Sequence, residues 1–318
     1  MSYKIISLKL KIEKVLFSTI ERYTQNNIKV FNNIDEALEN IRFDELGCPE
    51  NLYYIRSANI WIFGNHGWLY PLFKLMQYLG TIAPDNNMVI NFDQHKDFYL
   101  YHEEVDFSRW GSIPETCFSQ KPVGFMNRVL KHYHENIGKT SFLFPLIWDG
   151  SLNTYVWRDG GHRLFKKDEY EELKFVLNPR LGYYMPPATA IWPKNRKMVG
   201  IKTVNSYELR NRPERNLLHF KADFNYVHTV DLDYFFRGSF PKGWNKVIYE
   251  SRVKSFRQDM TVIENNEGLY PQAVFIATTP DPAYVNGQLI PRVAQNVLNN
   301  LRFLEQTQEY NHLKFSLN

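Results

Sequence analysis

The sequence predicts an α/β protein built on a parallel sheet, and three observations lead there. An apolar run at Ile60–Phe63 is followed by an amphipathic helix at Trp68–Leu79 and a second apolar run at Val89–Phe92. Strand, helix, strand is the grammar of parallel pairing. The same order returns later, with strands at Tyr226–Asp231 and Ala273–Ala277 around a helix at Trp244–Val262. Finally, acids and histidines collect where the apolar runs end, and the C-terminal edge of an open α/β sheet is where ligands bind.

The elements follow from pattern and punctuation. Tyr3–Ile12 alternates charged and aliphatic residues and reads as a strand, and Ile34–Ile41 reads as a short helix. These first fifty residues are expected to be either an edge strand with a packing helix or an N-terminal extension that binds a partner. In Trp68–Leu79 the residues Leu69, Leu72, Phe73, Met76 and Leu79 share a face of period 3.6, and Gly80 ends the helix at a position that favours glycine. Residues 98–122 are aromatic and irregular, and a loop of that length is read as a pocket wall. Helices are expected at Gly124–His134, Ser141–Ile147, Lys166–Val176 and Gln288–Leu304, and strands at Thr154–Trp157 and Met198–Val204. Asp159-Gly160-Gly161 reads as a turn. The basic residues of the long helix, Lys246, Arg252, Lys254 and Arg257, read as an exposed face. No repeat, low-complexity tract or linker interrupts the chain, so one domain over residues 1–318 is expected.

Composition narrows the function classes. The chain has 318 residues, 44% hydrophobic and 23% charged, which is ordinary for a folded protein. A net charge of +4, from 38 basic and 34 acidic residues without a dense basic cluster, argues against nucleic acid as a partner. Cys48 and Cys117 form neither a disulfide framework nor a metal-binding Cys-x-x-Cys. A reducing, cytoplasmic setting is expected. The first residues lack the apolar core of a signal peptide, and no stretch approaches the ~20 apolar residues of a membrane span.

Three stretches carry chemistry. Val89–Phe98 ends in Asp93, His95 and Asp97, spaced two apart, so an extended chain would put all three on one face. Such a pattern is either a polar strand end facing water or a set of metal ligands. In Asn59–Trp68, Gly64 and Gly67 bracket His66, which reads as a structural histidine or a ligand. In Tyr226–Phe235, Asp231 and Asp233 form a strand-end turn, a helix cap or a ligand pair. Together they give two imidazoles and four carboxylates. Four clustered carboxylates repel one another, and divalent cations would neutralise them. Imidazole with carboxylates suits manganese, with iron, cobalt and zinc as alternatives.

In this order the motifs resemble those of the ureohydrolase (arginase–agmatinase) superfamily, across residues 55–300. Phe63-Gly64-Asn65-His66 is similar to its Gly-Gly-Asp-His turn, Asp93-Gln94-His95-Lys96-Asp97 to its Asp-Ala-His-x-Asp, and Asp231-Leu232-Asp233 to its Asp-x-Asp. The wording Phe-Asp-Gln-His-Lys-Asp looks most like the atypical peptide arginases, which convert arginine residues of ribosomally made peptides to ornithine. The resemblance implies a three-layer α/β/α sandwich around a mostly parallel sheet. It also implies two manganese ions on His66, Asp93, His95, Asp97, Asp231 and Asp233. The implied reaction is hydrolysis of a guanidinium to urea and an amine, with an arginine-containing precursor peptide as partner and no membrane. Deacetylase relatives hold one zinc on fewer ligands, which leaves a metal-dependent amidohydrolase as an alternative. An agmatinase, a free-arginine hydrolase and a non-catalytic binding protein of the same fold are others.

The sequence departs from the family in two places. Arginases carry a glutamate on the last strand just before Asn-Pro, whereas this chain reads Ala277-Thr278-Thr279-Pro280. Thr278 or Asp281 is then the candidate substrate-binding residue, with Glu103, Glu104 and Asp106 as other candidates for holding the guanidinium. The shuttle histidine of arginases has its nearest counterpart in His102, at a different offset. Phe98-Tyr99-Leu100-Tyr101 offers little to grip free α-amino and α-carboxylate groups, which favours an arginine presented on a peptide.

Overall fold

The structure, a computed structural model, describes residues 3–42, 51–85, 87–93, 120–136, 142–148, 151–159, 200–203, 225–236, 246–265, 270–279 and 287–305. One eight-stranded sheet runs through it. Its strands are β1 (Asn27–Phe31), β2 (Asn51–Ile55), β3 (Ile60–Phe63), β4 (Asn87–Asp93), β5 (Leu152–Asp159), β6 (Gly200–Thr203), β7 (Asn225–Asp231) and β8 (Ala273–Ala277). The order across the sheet is β1-β2-β3-β8-β7-β4-β5-β6. Across the sheet from β3 to β6 every pairing is parallel, and among the described strands only β2 with β3 is antiparallel.

Helices cover both faces. They are α1 (Tyr3–Thr24), α2 (Ile34–Asn40), α3 (Leu69–Tyr78), α4 (Pro122–Asn136), α5 (Leu143–Trp148), α6 (Lys246–Glu264) and α7 (Ile290–Asn300). Strand alternation divides the interior in two. Trp61, Phe63, Val89, Val227 and Phe275 point to one face and pack with α1, α3, α4 and α5. Their neighbours Ile60, Ile62, Ile90, Val230 and Ile276 point to the other and pack with α2, α6 and α7. The result is the three-layer α/β/α sandwich with a mostly parallel sheet. All seven positions of β4 are buried, as a central strand covered on both faces requires.

The sequence places β3, α3, β4, β7 and β8 within a residue or two of their observed limits. Gly80 follows α3 at φ +68°, and the Thr81 N–H reaches back to Met76 O at 2.9 Å, so the left-handed stop is real. Two expectations need correction. Tyr3–Ile12 is not a strand but the start of α1. Its alternation of Lys with Leu and Ile imitates period two, yet the buried positions Glu13, Leu16, Phe17 and Ile20 recur at helical spacing. The edge strand is β1, beside β2, and neither stands out in the hydrophobic pattern. The first forty-two residues thus supply an edge strand with packing helices.

The second correction concerns α6. Lys246, Lys254 and Arg257 are exposed, but Arg252 is buried. It lines up with Tyr249, Phe256 and Ile263 on the inner face. Its Nη1 donates to Tyr234 O and to Phe236 O, and its guanidinium lies 5.9 Å from the Tyr234 ring. Helical period outweighs charge because two backbone carbonyls and a ring face compensate the cation. Neither the helix expected at Lys166–Val176 nor the loop up to Lys121 can be followed, because both lie largely outside the described residues.

His228 on β7 gives the fold a pH signature. It is 1% exposed beside Phe92, and burial pushes its imidazole down to about 3. The folded chain therefore holds it neutral while the unfolded chain protonates it near its ordinary value. Its contribution is present above that value and is lost as the pH falls toward 3. Between pH 7 and pH 5 the loss should be about 2 kcal/mol, from the pH distance below the unfolded pKa. Urea melts of wild type and His228→Phe at both pH values should differ in slope by that amount. Identical pH slopes would show that His228 contributes nothing.

Candidate metal centre

The candidate site forms where β4 and β7 end side by side. They pair in parallel with Asn91 opposite Thr229 and Phe92 opposite Val230. Continuing that register sets Asp93 beside Asp231, about one strand spacing of ~4.8 Å apart in backbone terms. On the other side of β7, Asp231 pairs with Ala277 of β8, which in turn pairs with Phe63 of β3. Asp93, Asp231 and the β3 exit thus sit in one row at the C-terminal edge.

The connections make this edge a topological switch point. After β3 and β4 the chain goes to α3 and α4 on one face, whereas after β7 and β8 it goes to α6 and α7 on the other. Neighbouring strands whose exits diverge to opposite faces define such a point, and ligands of open α/β sheets bind there as a rule.

His66 enters on a one-turn 3₁₀ helix, His66–Trp68, just after β3. Asn65 starts that turn, its side chain accepting the Gly67 N–H at 2.9 Å. The imidazole lies against the ring of Phe142, with centroids 4.4 Å apart. Its Nε2 is 2.9 Å from Thr229 Oγ1. Its Nδ1 faces the two acids, 3.3 Å from Asp231 Oδ2 and 3.6 Å from Asp93 Oδ2. One ligand atom from each of His66, Asp93 and Asp231 falls within 4.8 Å of the others, and all three residues are buried.

The carboxylates are held in place. Asp93 Oδ2 accepts from Asn91 Nδ2 at 3.2 Å. Asp231 Oδ1 accepts the backbone N–H of Asp233 at 3.0 Å, capping the 3₁₀ turn Leu232–Phe235, and Oδ2 accepts from the Thr279 hydroxyl. Burial, and after it the neighbouring Asp233 side chain, raise the Asp231 carboxyl against the lowering effect of His66 and the Asp233 N–H, for a net value of about 6. Buried acids gathered on one imidazole nitrogen are a donor set that a divalent cation satisfies, since it supplies the positive charge burial otherwise denies.

Of the residues singled out in the sequence, the structure brings His66, Asp93 and Asp231 together. Asp233 is 1% exposed beside them, felt electrostatically by Asp231. Thr278 is fully buried and its backbone N–H donates to Phe63 O at 2.8 Å. His95, Asp97, His102, Asp281, Glu103, Glu104 and Asp106 lie outside the described residues.

Four residues went unnoticed. Asn91 and Thr229 stand two residues before Asp93 and Asp231, so strand alternation alone could have put them on the same face. Asp159, read from sequence as part of a turn, ends β5 as the backbone partner of Asp93. Thr279 gave no local signal, because its role depends on β8 lying beside β7.

No family model and no curated protein matches the chain. Among solved structures, similarity extends to arginase from Bacillus subtilis, at 13% identity and TM-score 0.39 over 93% of this chain and 90% of that one. Helicobacter pylori arginase gives 11% identity and TM-score 0.38 over 84% and 75% of the two chains. Proclavaminate amidino hydrolase from Streptomyces clavuligerus gives 12% and 0.35 over 86% and 69%. At these values the functional reading rests on the site itself.

The site predicts how cation binding depends on composition and pH. His66→Ala and Asp231→Asn should each lower Mn²⁺ affinity in calorimetry by more than ~100-fold, beyond the 10–100-fold of outer-shell changes. Protons and cation compete for Asp231, so affinity should strengthen as the pH rises through about 6. In EDTA the sign is opposite. A raised folded pKa favours the protonated fold, so this group's contribution to stability should grow as the pH falls through about 6. Unchanged affinity in either variant would remove these residues from the site.

Proposed function

We propose that the chain is a divalent-metal hydrolase of the ureohydrolase type, acting on the guanidinium of arginine residues in a peptide to give ornithine and urea. The observation that carries this reading is the convergence of His66, Asp93 and Asp231, from three separate strand exits, within 4.8 Å at the C-terminal edge of the sheet. Those are the positions that the resemblance assigns to ligands, and the fold brings three of them together from distant parts of the chain. His95, Asp97 and Asp233 complete the proposed set, with two manganese ions as the proposed cofactor.

Two divalent cations held there would supply Lewis acidity and a water activated near neutral pH. The chain's own residues do the rest. Thr229, sharing a hydrogen bond with His66 Nε2, fixes the ring so that Nδ1 points at the acids. As Asn91 orients Asp93, the Asp233 N–H and the Thr279 hydroxyl orient Asp231. Phe142 packs against the imidazole, which is buried. Hydrolysis adds one water across the bond between the guanidinium carbon Cζ and Nε, so urea leaves with Cζ and the amine stays on the side chain. The departing amine needs a proton, and His102 is our candidate for delivering it. Thr278 and Asp281 are proposed to lie near the substrate nitrogen.

The peptide rather than the free amino acid is favoured by the ring-rich segment Phe98-Tyr99-Leu100-Tyr101 directly after the second motif. An amidohydrolase acting on acyl-lysine or a polyamine is the second reading, favoured by the absence of an acid from Ile276-Ala277-Thr278-Thr279 before Pro280.

Incubation with Mn²⁺ and an arginine-containing peptide should release urea and lower the peptide mass by one CH₂N₂ per arginine converted. Free arginine and agmatine should be turned over at least ~100-fold less efficiently, the scale expected when remote binding energy is lost. Faster turnover of either would replace the peptide assignment. One zinc per chain with turnover of acyl-lysine would replace the guanidinium altogether.

A further inference from the structure

We propose that Thr279 is the positioning residue that sets Asp231 for cation binding, and that its strained backbone is retained for this purpose. The proposal rests on the reading of this edge as a divalent-cation site.

Thr279 has φ +39°, left-handed backbone that a β-branched residue rarely adopts. Glycine meets such a position without strain, so a threonine there needs a compensating reason. Three contacts hold it. The preceding N–H, of Thr278, donates to Phe63 O at 2.8 Å, and the Thr279 N–H donates to Gly64 O at 3.0 Å. Both extend the β3–β8 pairing past the strand ends, up to the turn that carries His66. Its hydroxyl then crosses to β7 and donates to Asp231 Oδ2. One residue therefore ties together the exits of β3, β8 and β7, which carry His66, Thr279 and Asp231.

The chemistry of Asp231 gives the hydroxyl its meaning. A carboxylate offers about four lone-pair sites. The Asp233 N–H takes one on Oδ1 and the Thr279 hydroxyl takes one on Oδ2. Oδ1 keeps a second lone pair, the second on Oδ2 faces His66 Nδ1 at 3.3 Å, and the plane of the group is fixed from both sides. Glycine at 279 would relieve the backbone but leave Oδ2 without this donor. Valine would keep the shape and the strain but lose the donor as well. Serine would keep the donor.

The test compares Thr279→Val, Thr279→Gly and Thr279→Ser with wild type and Asp231→Asn in the full chain. Mn²⁺ affinity is read by calorimetry, the visible spectrum by Co²⁺ loading, and the melting temperature in EDTA. Thr279→Val and Thr279→Gly should bind Mn²⁺ about 10–100-fold more weakly, the range for outer-shell partners of metal ligands. Both should alter the Co²⁺ spectrum. Thr279→Ser should stay within about threefold of wild type, because it restores the donor. In EDTA, Thr279→Gly should melt no lower than Thr279→Val, which separates loss of the donor from loss of the fold. Wild-type affinity and spectrum in both Thr279→Val and Thr279→Gly, with Asp231→Asn still defective, would overturn the role of Thr279 and leave the site intact. Absence of Mn²⁺ binding in the wild type would overturn both.

Discussion

The parallel pairing of β4 with β7 is the constraint on which the rest of the molecule turns. Its register makes Asp93 and Asp231 neighbours at the end of two buried strands. A slip of either strand by one residue would send its acid to the opposite face, into the apolar layer with Ile90, Val230 and Phe256, and part it from the other. Register is held from both sides of the sheet. Wholly buried residues alternate between the two interiors, so slippage would misplace every one of them.

That pairing creates an electrostatic problem and the neighbouring strands answer it in part. Acids without water around them repel, and the Asp231 carboxyl responds with a raised pKa. The chain surrounds them with neutral donors. Asn91, Thr279 and a backbone N–H are each aimed at a carboxylate oxygen, and the imidazole of His66 lies between the two acids. Donors of this kind orient a carboxylate but do not cancel its charge, which is the physical ground for a cation here.

The fold invests in this edge elsewhere as well. Arg252 is buried to hold the carbonyls of Tyr234 and Phe236, in and at the end of the turn following Asp231. Phe142 comes from beyond β4 to lie against His66. Backbone bonds past the ends of β3 and β8 anchor the left-handed Thr279. Rigid elements thus carry the acids, and the strained residue is confined to one loop position, as expected where local strain serves a site.

Local pattern alone determined the elements with strong period and clear punctuation. The run Ile60–Phe63, the helix before Gly80 and the strands ending at Asp93 and Asp231 are legible because burial on a given face imposes spacing on the residues themselves. The same local reading mistook α1 for a strand, where alternating Lys and Leu imitate period two, and left Arg252 outside, where its charge outweighed its helical position. His66, Asp93 and Asp231 were legible as residues of the right chemistry, but their meeting was not. Strand order, which inserts β8 and β7 between β3 and β4, is decided by packing between segments far apart in sequence. Only that order brings Thr279 to Asp231 and Thr229 to His66, because a hydrogen bond depends on distance in space, and the chain encodes distance only along itself.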